Sequence, residues 1–206
     1  MNREMKKSGF TLVEMLVVIG IIAILAAASM VGYSRVVKSA RKAKNQELVA
    51  NVATALTHIL GKEGAWPQEL VTGARGGSGR LDKDVAKVFI RYKLLGLSYN
   101  QESGSEGNYT LVGKDRCGIV DAEAEAVLKR SANAGESSHV STGGSVGDHI
   151  LGYAIDEDGD GIVESDFGRI RASAIVWSAG PDGKVEYHLR GRNDDVYSWR
   201  PAQVVK

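Results

Sequence analysis

A long apolar run near the N-terminus is the strongest constraint on this chain. Residues Phe10 to Val31 number 22, and among them only Thr11, Glu14 and Ser29 carry polar side chains. An α-helix of this length reaches about 33 Å, enough to cross the hydrocarbon core of a bilayer. The run therefore predicts a membrane-spanning helix over residues 10–31 rather than a segment of a soluble core.

A carboxylate inside this run needs a partner. Glu14 lies near one end of the run, where an unpaired ionised side chain costs on the order of 2.5–3.5 kcal/mol on insertion. If a peptidase cleaves after Gly9, Phe10 becomes a new N-terminus, and its ammonium group can then neutralise Glu14 of an adjacent copy. Glu14 is therefore predicted to set the register between assembling subunits.

The letters GFTLVE at residues 9–14, followed by the apolar run, resemble the signal of type IV pilins and type II secretion pseudopilins. The resemblance implies a leader at residues 1–9, cleavage by prepilin peptidase after Gly9 and methylation of Phe10. It also implies assembly with other copies and with minor pseudopilins on an inner-membrane assembly platform.

Two ordinary explanations of the run compete with this one. They are a plain signal anchor and a secretory signal peptide cut near Ala26 to Ala28, where small residues suit such cleavage. Neither explains Glu14, and a secretory signal has an apolar core of only about 7–15 residues.

Charge counting and family resemblance disagree on orientation. Arg3, Lys6 and Lys7 precede the run, whereas five basic residues follow it between Arg35 and Lys44. Counting alone favours a C-terminal side in the cytoplasm. The resemblance implies the reverse, a single-pass inner-membrane protein with its C-terminal domain in the periplasm.

Composition limits what the rest of the chain can be. The chain has 206 residues and a net charge of +1, which allows one globular domain at residues 62–206. The small net charge argues against nucleic acid as a partner, so the basic residues at 35–44 are interpreted as solvated or facing lipid headgroups. Cys117 is the only cysteine, so no intramolecular disulfide can form.

The apolar run continues into an amphipathic helix at residues 32–61. Apolar residues such as Val52, Ala55 and Ile59 recur at spacings of three and four. Further helices are predicted at 82–95 and 121–130, and short strands at 109–112 and 118–120. The clearest strand patterns are Ile150 to Ile155, Ile170 to Trp177 and Lys184 to Leu189. We therefore predict an α+β, pilin-like fold, in which the long N-terminal helix packs on a C-terminal antiparallel sheet.

The first acidic loop, residues 156–166, has the spacing that wraps a chain around calcium. Oxygen ligands occur at every second position and Gly161 occupies the sixth, but Phe167 stands where an EF-hand has its last glutamate. The alternative is a turn rich in Asp and Gly for conformational reasons. The predicted ligands are Asp156, Asp158, Asp160 and either Glu164 or Asp166.

The second loop resembles the C-terminal end of the major pseudopilin of type II secretion. There, a turn like Ser178 to Gly183 and an acidic pair before a tryptophan such as Trp199 form a calcium site. The resemblance implies Asp182, Asp194 and Asp195 as side-chain ligands, with a surface turn as the alternative. The intervening residues 184–192 are more basic than the family pattern.

No motif indicates an enzyme. Cys117 and four histidines offer nucleophiles and bases, but the sequence has no G-x-S-x-G, H-E-x-x-H or C-x-x-C pattern. The histidines are expected at the surface. The sequence therefore predicts a subunit of a type II secretion pseudopilus. The alternatives are a type IV pilus subunit (adhesion, motility or DNA uptake) and a membrane-anchored, calcium-dependent binding module.

Overall fold

The computed structural model describes residues 11–95, 99–100, 108–110, 114–115, 118–131, 135–187 and 194–205. The chain forms two compact units, Met1–Ala40 and Arg41–Lys206. Its longest element is helix α1, Leu12–Glu63. The prediction of one continuous helix through the apolar run and the amphipathic segment is therefore confirmed for these residues.

Three shorter helices follow: α2 is Gln68–Gly73, α3 is Lys83–Arg91 and α4 is Ala122–Arg130. Aspartates begin two of them, because Asp82 accepts the backbone N–H groups of Asp84 and Val85 at 3.0 Å, and Asp121 caps α4 in the same way. Both predicted helices are confirmed. The first ends earlier than predicted, because Lys93 and Leu95 adopt φ angles of 56° and 59° that a right-handed helix does not contain.

Nine short strands lie among the described residues. They are β1 Gly79–Arg80, β2 Tyr99–Asn100, β3 Asn108–Thr110, β4 Lys114–Asp115, β5 Gly152–Ile155, β6 Ile162–Ser165, β7 Gly168–Arg171, β8 Ala174–Ser178 and β9 Val196–Tyr197. The main sheet has the order β1-β5-β8-β9 and all its pairs are antiparallel. Strands β2, β3 and β4 form a second sheet, and β6 pairs with β7 as a hairpin. Among the described residues there are also two 3-10 helices, Val146–His149 and Pro201–Gln203.

The main core lies between the C-terminal part of α1 and one face of the main sheet. Val52, Leu56 and Ile59 are fully buried and belong to one cluster with Tyr153 of β5 and Val176 of β8. The Tyr153 hydroxyl donates to the carbonyl of Leu70 at 2.7 Å, so the buried polar group is satisfied. The α+β fold, with a helix on an antiparallel sheet, is confirmed.

The other face of the sheet covers an aromatic cluster. Phe167 packs on Trp177 with ring centroids 4.9 Å apart and on Trp199 at 5.0 Å. Alternate residues of the strands reach this side, as Ala154 and Ile175 do. Phe167, which stands where an EF-hand has its last glutamate, is therefore a residue of this core.

Three strand predictions need correction. The segment predicted at 170–177 is divided between β7 and β8, because residues 172–173 connect a separate hairpin to the main sheet. Residues 184–187 form no strand and 188–189 lie outside the described residues; the outer strand beside β8 is β9. In the predicted strand at 118–120, Val120 alone forms a β-bridge, with Ile150.

The membrane-spanning role of residues 10–31 stays a prediction. Among the residues that the structure describes, no helix has both the length and the apolar character needed to cross a bilayer.

Candidate functional site

The loop between β5 and β6 gathers Asp156, Asp158 and Asp160. One carboxylate oxygen from each lies within 4.8 Å of the corresponding oxygens of the other two. Asp156 is buried, whereas Asp158 and Asp160 are exposed. Within the described residues, this is the one group of three metal-ligating side chains that converges in this way.

Backbone groups of the same loop hold these carboxylates in place. Asp156 accepts the N–H groups of Gly159 and Gly161, each at 2.8 Å, and Asp160 accepts the N–H of Ile162 at 2.7 Å. Gly159 and Gly161 have φ angles of +78° and +81°, a conformation that glycine adopts without strain. The turn therefore orients the three carboxylates through its own hydrogen bonds.

The two further predicted ligands differ in their placement. Glu164 lies on β6 and lines a cavity of about 290 Å³ together with Asp158 and Asp160, while its Oε1 lies 3.3 Å from Nε of Arg169. Asp166 sits in the two-residue turn at the far end of the β6–β7 hairpin. Strand β6 separates it from the loop by roughly 13 Å of chain, so Glu164 is the better placed of the two.

The chemistry of this group fits a hard divalent cation. Calcium takes six to eight oxygen ligands at about 2.3–2.6 Å and accepts irregular geometry, whereas magnesium demands a tighter octahedron. Asp156, Asp158 and Asp160 would hold the ion, with Glu164 nearby and backbone carbonyls or water completing the shell. The mutual repulsion of these carboxylates would fall when an ion binds.

The structure does not bring the second predicted set together as three converging carboxylates. Asp182 accepts the N–H of Lys184 at 2.9 Å. Asp195 is buried, and its Oδ2 accepts from the N–H of Glu186 and from the Tyr197 hydroxyl, each at 2.8 Å. Burial raises the pKa of the Asp195 carboxyl to about 6, although these two hydrogen bonds oppose the shift.

The two segments that carry this second set are nevertheless neighbours. Gly180 lies so close to Asp194 that an added Cβ would stand 2.8 Å from the Asp194 carbonyl oxygen. Gly143 approaches Asp182 as closely, with a distance of 2.8 Å from its Cβ position to the Asp182 carbonyl oxygen. The turn at 180–183 is therefore packed between two loops, while the role of Asp182, Asp194 and Asp195 as ligands stays a prediction.

The beginning of α1 presents apolar side chains without cover. Leu12, Ile19 and Ile24 are 82%, 62% and 71% exposed. Thr11 precedes the helix, and its backbone N–H and hydroxyl both donate to Glu14 Oε2 at 2.8 Å, while Glu14 N–H donates to the Thr11 hydroxyl at 3.3 Å. This is a capping box. Glu14 therefore caps its own helix in the single chain; Gly9 and Phe10 lie outside the described residues.

The structure contains a buried polar cluster that was not predicted from the sequence. Asp121, Glu123, His149 and Asn45 are at most 3% exposed, so the expectation of surface histidines is wrong for His149. Asn45 of α1 donates to Glu123 Oε2 at 2.8 Å and accepts the N–H of Ala122 at 2.7 Å. The sequence feature that could have indicated this cluster is Asn45, a polar residue four positions before Val49 on the buried face of α1.

Comparison with known proteins gives one match. Residues 5–30 match the family described as the prokaryotic N-terminal methylation motif. No curated protein and no solved structure matches the chain. The matched segment contains the predicted processing site at Gly9 and Phe10 and the predicted assembly residue Glu14.

The matched motif indicates a class of protein. It is a prepilin-type signal, and it indicates a protein of the type IV pilin-like class, which includes the pseudopilins. This class is structural rather than enzymatic. The motif does not distinguish a type II secretion pseudopilus from a pilus.

Proposed function

We propose that this chain is a structural subunit of the periplasmic pseudopilus of a type II secretion system. Prepilin peptidase processes it between Gly9 and Phe10, and its copies assemble through α1 from the inner membrane. The observation that carries the proposal is the methylation motif at residues 5–30, placed at the start of a helix whose apolar side chains are exposed.

Those side chains are stable only when they are covered from water. A fully buried Leu or Ile side chain is stabilised by about 1.5–3 kcal/mol relative to exposure to water, and at least ten large apolar side chains between Leu12 and Leu25 are exposed in the single chain. Lipid covers them before assembly, and packing against helices of other copies covers them in the filament. The resemblance of residues 177–199 to the major pseudopilin favours the secretion filament.

Loss of the gene tests the type of filament. We expect a deletion strain to stop secreting folded proteins while keeping surface fibres and twitching motility, with recovery on expression of the wild-type chain. Loss of fibres and twitching with normal secretion would instead establish a type IV pilus subunit.

Crosslinking separates a filament subunit from a membrane-anchored binding module. Single cysteines at Leu16 or Ile24, in a Cys117→Ser background, place reactive thiols on the exposed part of α1. We expect a ladder of oligomers in membranes after oxidation. Monomers alone would contradict assembly, and a matched cysteine at exposed Thr54 of α1 controls for random collision.

Calcium is the second part of the proposal. The ion binds Asp156, Asp158 and Asp160, and it stabilises the domain in place of a disulfide. At about 100 times its dissociation constant it adds about 2.7 kcal/mol, which corresponds to a rise in melting temperature of roughly 5–11 °C for a domain of this size.

The test is thermal unfolding of the full chain in detergent, with calcium and with chelator. We expect Asp158→Asn together with Asp160→Asn to abolish the calcium-dependent rise, and Asp166→Asn to leave it unchanged. No rise in the wild-type chain would contradict stabilisation of the domain by calcium. A rise that survives the double substitution but is lost in Asp182→Asn or Asp194→Asn would assign the ion to the second loop.

A further inference from the structure

His149 is a buried residue whose two ring nitrogens both face oxygen atoms. Its Nδ1 lies 2.8 Å from Asp121 Oδ2, and its Nε2 lies 2.8 Å from the carbonyl oxygen of Gly143. The side chain is fully enclosed, as is that of Asp121. Neither nitrogen therefore has access to water as an alternative partner.

The hydrogen-bond partners favour a protonated ring. A carbonyl oxygen only accepts, so Nε2 must carry a proton. Asp121 is surrounded by donors: its Oδ1 accepts the N–H groups of Glu123 and Ala124 at 3.1 Å, and its Oδ2 accepts the Ser178 hydroxyl at 3.2 Å. An ionised Asp121 can accept a further hydrogen bond at Oδ2 if Nδ1 of His149 donates it. Both ring nitrogens then carry a proton, and the ring is an imidazolium.

The surrounding charges support a cation at this position. Burial by itself lowers the pKa of His149, but the hydrogen bond and negative charge of Asp121 outweigh it and raise the pKa above its ordinary value. Burial and the nearby charge of Asp121 raise the pKa of Glu123. Across the elements packed on the ring, the ionisable groups are Asp121 and Glu123 at the start of α4, Asp148 of the 3-10 helix, and Arg80 of β1 beside Asp148.

The pair links the start of α4 to strand β8 and to the loop before the 3-10 helix Val146–His149. Asp121 begins α4, Ser178 belongs to β8, and Gly143 belongs to the loop before the 3-10 helix. Asn45 attaches the same end of α4 to α1. The turn at Gly183 also closes on the ring, because an added Cβ there would stand 3.0 Å from Nε2.

We propose that His149 is a proton-operated latch, which in its protonated form ties the loop at Gly143 and strand β8 to the beginning of α4. When the ring loses a proton, one nitrogen becomes a bare acceptor and faces either the Gly143 carbonyl or the Asp121 carboxylate without a hydrogen. That side of the junction opens. The proposal concerns the folded domain and does not depend on which filament the chain forms.

The direction of the pH effect follows from the raised pKa. The folded state binds the His149 proton more tightly than the unfolded chain does, so the latch contributes its full stability below the ordinary histidine pKa of about 6.5. That contribution is lost as the pH rises through the pKa of the folded state. The junction is therefore tightest in acidic surroundings and loosens in alkaline ones.

The direct test is ¹⁵N NMR of the imidazole ring in the full chain in detergent, with the His149 signals assigned by their absence in His149→Gln. We expect both nitrogens to carry protons at pH 6, and Asp121→Asn, which keeps a good helix cap, to shift this titration to lower pH. One protonated and one bare nitrogen at pH 6 would overturn the proposal, and this measurement uses the wild-type fold.

The second test is the melting temperature as a function of pH. We expect His149→Gln to lower it by roughly 6–12 °C at pH 6, since breaking a buried ion pair is costly, and to flatten its decline at alkaline pH. His58→Gln, at an exposed position of α1, is the matched control and should follow the wild type. A wild-type profile identical in shape to that of His149→Gln would contradict the latch.

Discussion

Two parts of helix α1 have the same secondary structure but different surroundings. In the part after Asn45, the fully buried residues Val49, Val52, Leu56 and Ile59 recur along one face, and most of the exposed residues are polar. In the part from Leu12 to Leu25, apolar residues lie all around the helix and are exposed. An amphipathic helix needs one neighbour, whereas a helix that is apolar on all sides needs to be surrounded. The part after Asn45 therefore depends on its own domain, whereas we expect lipid or other copies to cover the part from Leu12 to Leu25.

The largest expected effect comes from the charge of Glu14. Glu14→Gln keeps a residue that forms a capping box with Thr11 but cannot neutralise the ammonium group of Phe10 in an adjacent copy. We expect normal cleavage after Gly9 and a loss of filaments of more than about tenfold, because a charge left unpaired in an apolar bundle is costly. Filament yield by electron microscopy and leader removal by mass spectrometry measure the two effects separately.

Glu14→Ala removes the charge and the cap together, and we expect the same failure of assembly. Glu47→Ala, at an exposed position of the same helix, is the control and should assemble normally. Normal filaments from Glu14→Gln would refute the pairing of Glu14 with the new N-terminus and assign the residue a capping role alone.

The next prediction compares two substitutions that shorten apolar side chains of α1. Leu56→Ala removes a fully buried side chain and should reduce the free energy of unfolding by about 2–5 kcal/mol. Ile21→Ala, at a residue that is 53% exposed, should change it by less than about 0.5 kcal/mol while weakening assembly. Chemical unfolding in detergent measures the stability of both variants, and the oligomer ladder measures their assembly. Equal loss of stability in both variants would contradict the difference between the two parts of α1.

A smaller effect is expected at Asn45. Asn45→Ala leaves the buried Glu123 carboxylate and the Ala122 N–H without the partners that they have in the wild type, at a cost of about 1–3 kcal/mol. Asn51→Ala, at an exposed position of α1, is the matched control. Unfolding midpoints measure both, and equal stability of the two variants would show that the junction of α1 with α4 does not depend on Asn45.

Local patterns made much of this structure predictable. The apolar run and the spacing of Val52, Ala55 and Ile59 indicate one long helix, and Asp82 and Asp121 mark the starts of α3 and α4 because side-chain caps act within a few residues. The turn at Asp156 to Asp160 was predictable for the same reason. Its ligand spacing and its glycines lie within one short segment.

Features that depend on distant contacts were not predictable. The division of β7 from β8 follows from the aromatic core around Phe167 and Trp177, which no periodicity within residues 170–177 reveals. The burial of His149 depends on Asp121, which lies 28 residues away along the chain. The second acidic set depends on how Gly180 packs against Asp194, and sequence resemblance alone does not determine that packing.

We propose that the exposed part of α1 becomes an assembly segment once prepilin peptidase removes the leader at residues 1–9. The most direct test is the mature N-terminus of protein recovered from membranes of a host with a prepilin peptidase, read by intact mass and N-terminal peptide mapping. We expect a chain that begins with N-methylated Phe10. A chain that begins near Ser29, or that still carries Met1, would contradict it.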